Sequence, residues 1–196
     1  MREFVAFALM SIAASIAQAQ TKELYVGFAG VRSELDNFFQ DAANRGDIVD
    51  STDDSFKLFA GYKLTQKVSA ELSYIDKLSF KRTLNPSVAN DVTNLDVSAF
   101  AFNVVAAFPF GERFEAFGKA GFGLWKFEGT NVTTTSGSPQ TVATTYDYRS
   151  GNGVAYGLGG NYKFNENFKL RAEYDVIEVL ADLELQTFSL GVIWEF

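Results

Sequence analysis

Five charged residues lie on the polar side of segments in which polar and apolar residues alternate. They are Lys57, Glu71, Lys119, Arg171 and Glu173. Charges enclosed inside a protein must pair, because burying a lone ion costs several kcal/mol. An arginine can hold a carboxylate with two hydrogen bonds. We therefore predict that Glu71 and Glu173 contact Lys119 and Arg171 in an interior polar network, with Arg171 as its central residue.

This predicted network has two interpretations. In the first, the ion pairs fill the interior of the protein and fix its shape. In the second, they form a gate whose switching opens a thin conducting path. The sequence alone leaves both open.

Residues that carry most other chemistry are absent from this chain. It has no histidine and no cysteine, which excludes Ser-His and Cys-His nucleophiles, imidazole or thiolate metal ligands, and disulfides. In the acidic stretch Arg32–Asp54, the spacing from Asp47 to Asp54 does not match an EF-hand, which also requires a central glycine and a final glutamate. The stretch is interpreted as a solvated loop, with weak binding of a divalent ion as the alternative. We predict no catalytic residue, no cofactor and no metal site. The net charge of −7 also argues against nucleic-acid binding.

The first nineteen residues have the layout of a secretory signal peptide. Arg2 precedes an uncharged apolar run from Phe4 to Ile16, and Ala17 and Ala19 supply small residues before the expected cleavage site. This apolar run is shorter than the roughly 20 residues that a membrane-spanning helix needs. We predict a signal peptide over 1–19 and a single domain over 20–196.

The remainder of the chain alternates with a period of two, which predicts β-strands with two different faces. Eight segments show the pattern: Leu24–Val31, Phe56–Leu64, Val68–Tyr74, Phe100–Phe108, Phe114–Leu124, Val154–Phe164, Phe168–Val176 and Phe188–Phe196. The register of the first segment is ambiguous, because both of its faces are apolar. Such a pattern fits either a soluble barrel or sandwich with apolar residues inside, or a membrane barrel with apolar residues outside.

Three features favour the membrane barrel. The polar faces are rich in glycine, alanine and serine, as the narrow interior of an eight-stranded barrel requires. Short links at Thr65–Lys67, Pro109–Arg113 and Asn165–Asn167 alternate with longer ones, as periplasmic turns alternate with external loops. Aromatic residues lie beside the short links, at the expected membrane interface. The fold class predicted is all-β, an eight-stranded antiparallel up-and-down transmembrane β-barrel with both ends in the periplasm.

The longer links are expected to be external loops of about 20 residues, by the asymmetry typical of such barrels. They cover Arg32–Asp54, Asp76–Asn94 and Glu128–Ser150. Within the third, Thr130–Thr145 is rich in threonine and serine and is expected to be mobile.

The chain resembles the small OmpA/OmpX-type outer-membrane β-barrels over its whole mature length. The resemblance rests on four segments: FKLFAGY at Phe56–Tyr62, PFGERFEAFGKAG at Pro109–Gly121, LRAEY at Leu170–Tyr174 and LGVIWEF at Leu190–Phe196. Members of this family end on an aromatic residue preceded by alternating apolar residues. Here that assembly signal is Phe188, Leu190, Val192, Trp194 and Phe196. The resemblance implies recognition of the last strand by the outer-membrane assembly machinery, and we expect no peptidoglycan-binding domain after the barrel.

The resemblance also implies a location and a function. We expect a monomer in the bacterial outer membrane, in contact with membrane lipid and lipopolysaccharide. Its expected role is structural, with external loops available for adhesion or for host or surface ligands. A narrow passive channel for ions or small solutes is the alternative, and a soluble periplasmic ligand-binding barrel is a third. Some outer-membrane barrels are lipid acyltransferases, lipid deacylases or proteases, and those families look to rely on a histidine. This chain has none, so we predict that it is not an enzyme.

Overall fold

The chain forms one closed antiparallel barrel. The computed structural model describes residues 23–36, 48–83, 90–135, 141–180 and 183–196. Its strands are β1 (Leu24–Asp36), β2 (Ile48–Asp50), β3 (Thr52–Lys63), β4 (Val68–Thr83), β5 (Asn90–Phe110), β6 (Phe114–Thr135), β7 (Thr141–Lys163), β8 (Phe168–Leu180) and β9 (Leu183–Glu195). From β3 to β9 consecutive strands pair, and β1 closes the ring by pairing with both β3 and β9. The short β2 and the longer β3 both lie beside β4, so together they occupy one of eight barrel positions. The predicted fold class is confirmed.

The two ends of the barrel differ in their connections. At one end, here called the short-turn end, tight turns join β3 to β4, β5 to β6 and β7 to β8. Gly111 in the second of these turns has a φ of 73°, a left-handed conformation that glycine adopts without steric cost. The opposite end is called the long-hairpin end, because β5, β6 and β7 run to 21, 22 and 23 residues toward it. A strand needs only about 9–11 residues to cross a bilayer, so these strands are about twice as long as a crossing would require.

This extension corrects the expectation of three loops of about 20 residues. Most of Asp76–Asn94 and Glu128–Ser150 is paired strand. The two ends of Arg32–Asp54 are also strand. Thr130–Thr135 pairs with Thr141–Tyr146, so most of the predicted mobile loop is β-hairpin. Strand pairing continues there because neighbouring backbones satisfy each other's hydrogen bonds, whatever the local composition.

Apolar side chains cover the outside of the barrel near the short-turn end. Phe102, Leu158 and Val192 are 43, 66 and 51% exposed, and all three point away from the barrel axis. On β1, Tyr25 and Ala29 are buried whereas Phe28 is 52% exposed, which settles the register that the sequence left ambiguous. The expected placement of apolar residues on the outer face is confirmed for this part of the barrel.

Toward the long-hairpin end, the inward face of the strands becomes apolar and the outward face becomes polar. On β6, Trp125 and Phe127 point inward and are buried, whereas Lys126 and Glu128 point outward and form an ion pair. The interior of this half is filled by an apolar cluster, called the interior apolar cluster, made of Ile75, Leu78, Phe80, Val97, Ala99, Ala101, Trp125, Phe127, Ala155, Ile177, Val179 and Leu185. This half is therefore built like a water-soluble barrel, with polar residues outside and a dry core inside.

On β4, a β-bulge brings apolar residues to the inward face of this half. The pairing of β4 with β5 shifts register between Ile75 and Leu78, so an extra residue is accommodated at Asp76 and Lys77. Because of this shift, Ile75, Leu78 and Phe80 all face the interior, where Leu78 and Phe80 are fully buried. Without the bulge, Leu78 would face outward.

Some predictions fall outside the described residues. The signal peptide predicted at 1–19 is one of them. In the part of the chain that the structure does describe, no helix is long and apolar enough to cross a membrane.

Candidate functional site

The interior of the barrel, between the short-turn end and the interior apolar cluster, holds a compact group of ion pairs. Lys57 on β3 reaches across to β8, where its Nζ lies 2.5 Å from Glu173 Oε1 and 2.6 Å from Asp175 Oδ2. Lys119 on β6 lies 2.9 Å from Glu173 Oε2 and 2.8 Å from Asp175 Oδ1. It is also 3.7 Å from Glu71 Oε1. Two lysines from different strands thus share the same two carboxylates of β8.

Arg171 forms the second part of the group. Its Nη1 donates to Glu71 Oε2 at 2.5 Å and lies 3.8 Å from Glu173 Oε2, and its Nε donates to Asn161 Oδ1 at 3.0 Å. The guanidinium also lies over the rings of Phe59 and Phe117, 4.7 and 4.5 Å from their centroids. These contacts fix the plane of the guanidinium, which an isolated ion pair would not do.

Uncharged donors add hydrogen bonds to two of the carboxylates, whereas Glu71 Oε1 and Asp175 Oδ1 accept no hydrogen bond and only lie near Lys119. The hydroxyl of Tyr25 donates to Glu71 Oε2 at 2.8 Å and lies 3.2 Å from Ser69 Oγ. Ser189 donates to Glu173 Oε1 at 3.1 Å. Each buried ion is therefore paired with an opposite charge, and most of the carboxylate oxygens also accept hydrogen bonds, as stable burial of charge requires.

The group is electrically balanced. We call it the lumenal ion network and define it by three cations, Lys57, Lys119 and Arg171, and three carboxylates, Glu71, Glu173 and Asp175. Their side chains are between 0 and 7% exposed. An equal number of opposite charges in so dry a site means that losing any one of them leaves an unbalanced buried ion.

A glycine makes room for one of these contacts. Gly157 lies between Lys119 and Asp175 in the strand register, on the same inward face. A Cβ at this position would overlap Asp175 Oδ1 and would approach Lys119 Cε to 3.1 Å. The lysine therefore reaches the carboxylate only because residue 157 has no side chain.

The structure places all five predicted interior residues in this network. Glu71 and Glu173 contact Lys119 and Arg171, although Glu173 and Lys119 have more charged partners than Arg171 does. Sequence reasoning missed Asp175, which lies on the same polar face of β8 two residues beyond Glu173. It also missed Tyr25 because the register of β1 was ambiguous. The alternation that places Glu173 inside also places Asp175 inside, so the signal for Asp175 was present.

The residues of the predicted assembly signal lie together on the outer face of β9. Phe188, Leu190, Val192 and Trp194 are each about half exposed. Trp194 stacks on Phe168 of β8 at 6.1 Å between ring centroids and contacts Phe196 at 4.5 Å. This row continues the outer apolar surface to the short-turn end.

The lumenal ion network has few features that could bind or activate a substrate. Among the described residues, no group of three or more acidic side chains is placed to hold a metal ion. The network's charges are committed to one another in a site closed on the long-hairpin side by apolar side chains. The ion pairs of the network therefore hold strands together across the interior of the barrel.

Comparisons with known proteins agree with this architecture. A family model described as the outer membrane protein beta-barrel domain matches residues 4–196. The crystal structure of Ail, the attachment invasion locus protein of Yersinia pestis, is 20% identical with a TM-score of 0.54, covering 89% of this chain and 97% of that one. OprG of Pseudomonas aeruginosa is 14% identical with a TM-score of 0.59, covering 89% and 96%. The N-terminal barrel domain of OprF, also from Pseudomonas aeruginosa, is 19% identical with a TM-score of 0.52, covering 88% and 97%. No curated protein sequence matches the chain.

These solved structures share the fold, and the family match extends over nearly the whole sequence. The outer apolar surface is thus a lipid-facing surface, and the protein resides in the bacterial outer membrane. The chain belongs to the outer membrane protein β-barrel family.

Proposed function

We propose that the protein is a non-conducting structural anchor that presents extracellular β-hairpins for surface contacts. The observation that carries this proposal is the closed interior. A balanced ion network fills the middle of the barrel, and the interior apolar cluster fills the long-hairpin half, where Leu78, Phe80, Val97 and Leu185 are 0% exposed. A continuous water path would have to displace both.

The orientation in the membrane follows from the two ends. The short turns face the periplasm and the long hairpins face outward, which is the arrangement typical of bacterial barrels. The outward-projecting parts of β5, β6 and β7 then stand in the lipopolysaccharide layer and above it. Their polar outer face, exemplified by the Lys126–Glu128 pair at 2.6 Å, suits that aqueous setting.

A surface role gains support from the kind of proteins that share the fold. Ail is named as an attachment and invasion protein, and one of its structures is in complex with a heparin analogue. We propose host or surface ligands for the hairpins of this chain. The same proposal includes contact with lipopolysaccharide and a monomeric state without catalysis. It also includes assembly by the outer-membrane machinery, through the row of apolar residues on the outer face of β9.

Planar-bilayer recording tests the non-conducting part. The purified, folded barrel is expected to give no discrete conductance steps, whereas steps in the unmodified protein would favour the passive channel. A variant with the apolar cluster opened, Phe80→Ala with Phe127→Ala, serves as the comparison. It should still be silent, because the ion network below the cluster remains.

A hairpin deletion tests the surface part. Residues 131–135 and 141–145 pair with each other in the outer arm of the β6–β7 hairpin. Replacing residues 131–145 with an Asn-Gly turn leaves Thr130 opposite Tyr146, because a two-residue turn can join paired strands. The shortened barrel should fold and keep its heat-modifiable gel mobility. Bacteria that display it should adhere less to cultured epithelial cells than bacteria that display the full chain. Equal adherence of both strains, and of a strain with no barrel, would remove the adhesive role.

A further inference from the structure

The short-turn end of the barrel contains a small polar cavity that adjoins the lumenal ion network and shares Arg171 with it. Its volume is about 70 Å³, and its walls come from the β3–β4 turn and the inner faces of β1, β6, β7, β8 and β9. Arg171 lies at its inner limit. The cavity ends at the network, so it is a closed recess rather than a passage.

The charged groups of this recess are predominantly cationic. Its lining includes Lys63, Lys67, Lys169 and Arg171, against the two carboxylates Glu115 and Glu195. Because Arg171 is already balanced by Glu71 within the network, the recess itself holds three lysines against two carboxylates and is net positive by one charge, in a protein whose overall charge is −7. A positive potential in a narrow, low-dielectric recess attracts anions.

Arg171 supplies donors that its protein partners do not use. A guanidinium has five N–H groups. Arg171 donates from Nε to Asn161 and from Nη1 to Glu71, and its Nη2 has no hydrogen-bond partner in the described part of the chain. The residue is only 4% exposed, and it lines the recess.

The lysines are held in place by one carboxylate. Glu195 accepts Lys63 at 3.0 Å on Oε2 and Lys169 at 2.9 Å on Oε1, and Glu115 lies 3.6 Å from Lys169. Each lysine ammonium has three donors and no acceptor, so an anion in the recess can share them with Glu195. Glu195 thus holds Lys63 and Lys169 in position and also neutralises part of their positive charge.

We propose that this recess binds one small oxyanion, of the phosphate or carboxylate class, between the free edge of the Arg171 guanidinium and the ammonium groups of Lys63 and Lys169. The volume of about 70 Å³ is large enough for an anion of four or five heavy atoms. Bound there, the anion links β3 to β8 at the end of the barrel where the chain closes.

Isothermal titration of inorganic phosphate into the folded barrel in uncharged maltoside micelles, at constant ionic strength, tests the proposal. A parallel titration with short-chain phosphatidic acid distinguishes a free anion from a lipid headgroup. Wild-type protein should bind phosphate with one-to-one stoichiometry. Lys169→Gln should weaken binding about fivefold or more, because one unit charge at about 4 Å is lost. Glu195→Gln should tighten binding by a similar factor, because it releases both lysines.

The opposite signs of these two changes separate a built site from nonspecific attraction. Lys77→Gln, on the outer face near the opposite end, is the matched control and should leave the affinity unchanged. Both variants keep Arg171 and so do not depend on the stability of the ion network. Absence of binding in the wild type, or any pattern other than weakening by the first variant and tightening by the second, overturns the proposal.

Discussion

The ion pair between Glu71 and Arg171 is expected to contribute strongly to the stability of the barrel. Two unit charges about 4 Å apart interact by about 4 kcal/mol at an effective dielectric constant of about 20. Arg171→Met leaves Glu71 with Tyr25 and a more distant Lys119 at 3.7 Å, and it leaves the network with a net negative charge. Removing one member of a buried pair costs about 3–5 kcal/mol. We expect that loss for Arg171→Met and a comparable one for Glu71→Gln.

The double variant distinguishes pairing from simple packing. With both residues changed, Lys57 and Lys119 again balance Glu173 and Asp175. The combined loss should therefore be smaller than the sum of the single losses by about 2 kcal/mol or more, within the range found for contacting residues. Urea unfolding in lipid vesicles, followed by the fluorescence of the two tryptophans, measures all four free energies of unfolding.

A surface pair provides the control for this cycle. Lys126 and Glu128 are 2.6 Å apart but about half exposed, so their coupling should be only about 0.5 kcal/mol. If the Glu71 and Arg171 changes add to within about 0.5 kcal/mol, the network does not act as a coupled unit and the reasoning is refuted.

Three further predictions use paired variants. Phe80→Ala in the interior apolar cluster should lower the free energy of unfolding by about 3–5 kcal/mol, whereas the lipid-facing Phe122→Ala should lower it by less. Equal losses of free energy in urea unfolding would contradict a packed core in that half. Gly157→Ala should lower the thermal midpoint of the heat-modifiable gel band because its Cβ meets the network, whereas Gly160→Ala, with no atom nearer than 3.7 Å, should leave it nearly unchanged. Trp194→Ala should reduce by at least half the amount of folded barrel recovered in outer-membrane fractions. If that amount stays at the wild-type level, the row on β9 is not needed for assembly.

The pattern of alternation predicted the strand number and facing, but only where it is uninterrupted. Along β6 and β7 it placed every inward residue near the short-turn end correctly. It could not reveal the register shift at Asp76 and Lys77, because a bulge is defined by the partner strand as well as by its own residues. The interior apolar cluster was missed for that reason and because polar and apolar faces exchange there.

The composition of the ion network was only partly predictable. Periodicity shows that Glu173 and Asp175 share a face, but it does not show which level of β8 lies opposite Lys57 on β3. That depends on the tilt and stagger of the strands when the barrel closes. The pairing of Glu71 with Arg171 across 100 residues could be predicted from sign and facing, whereas the contribution of Asn161 required the actual geometry.

The ion pairs inside the barrel also constrain how the chain folds. Lys57 and Glu173 are 116 residues apart, and each belongs to a different half of the sequence. Contacts between such distant segments form slowly, because the entropy of closing a long loop must be lost before the contact is gained. We therefore expect these charges to remain hydrated and unpaired until β9 joins β1. The stabilisation that the network provides is then gained in a single late step of folding, which would make the folded barrel slow to unfold.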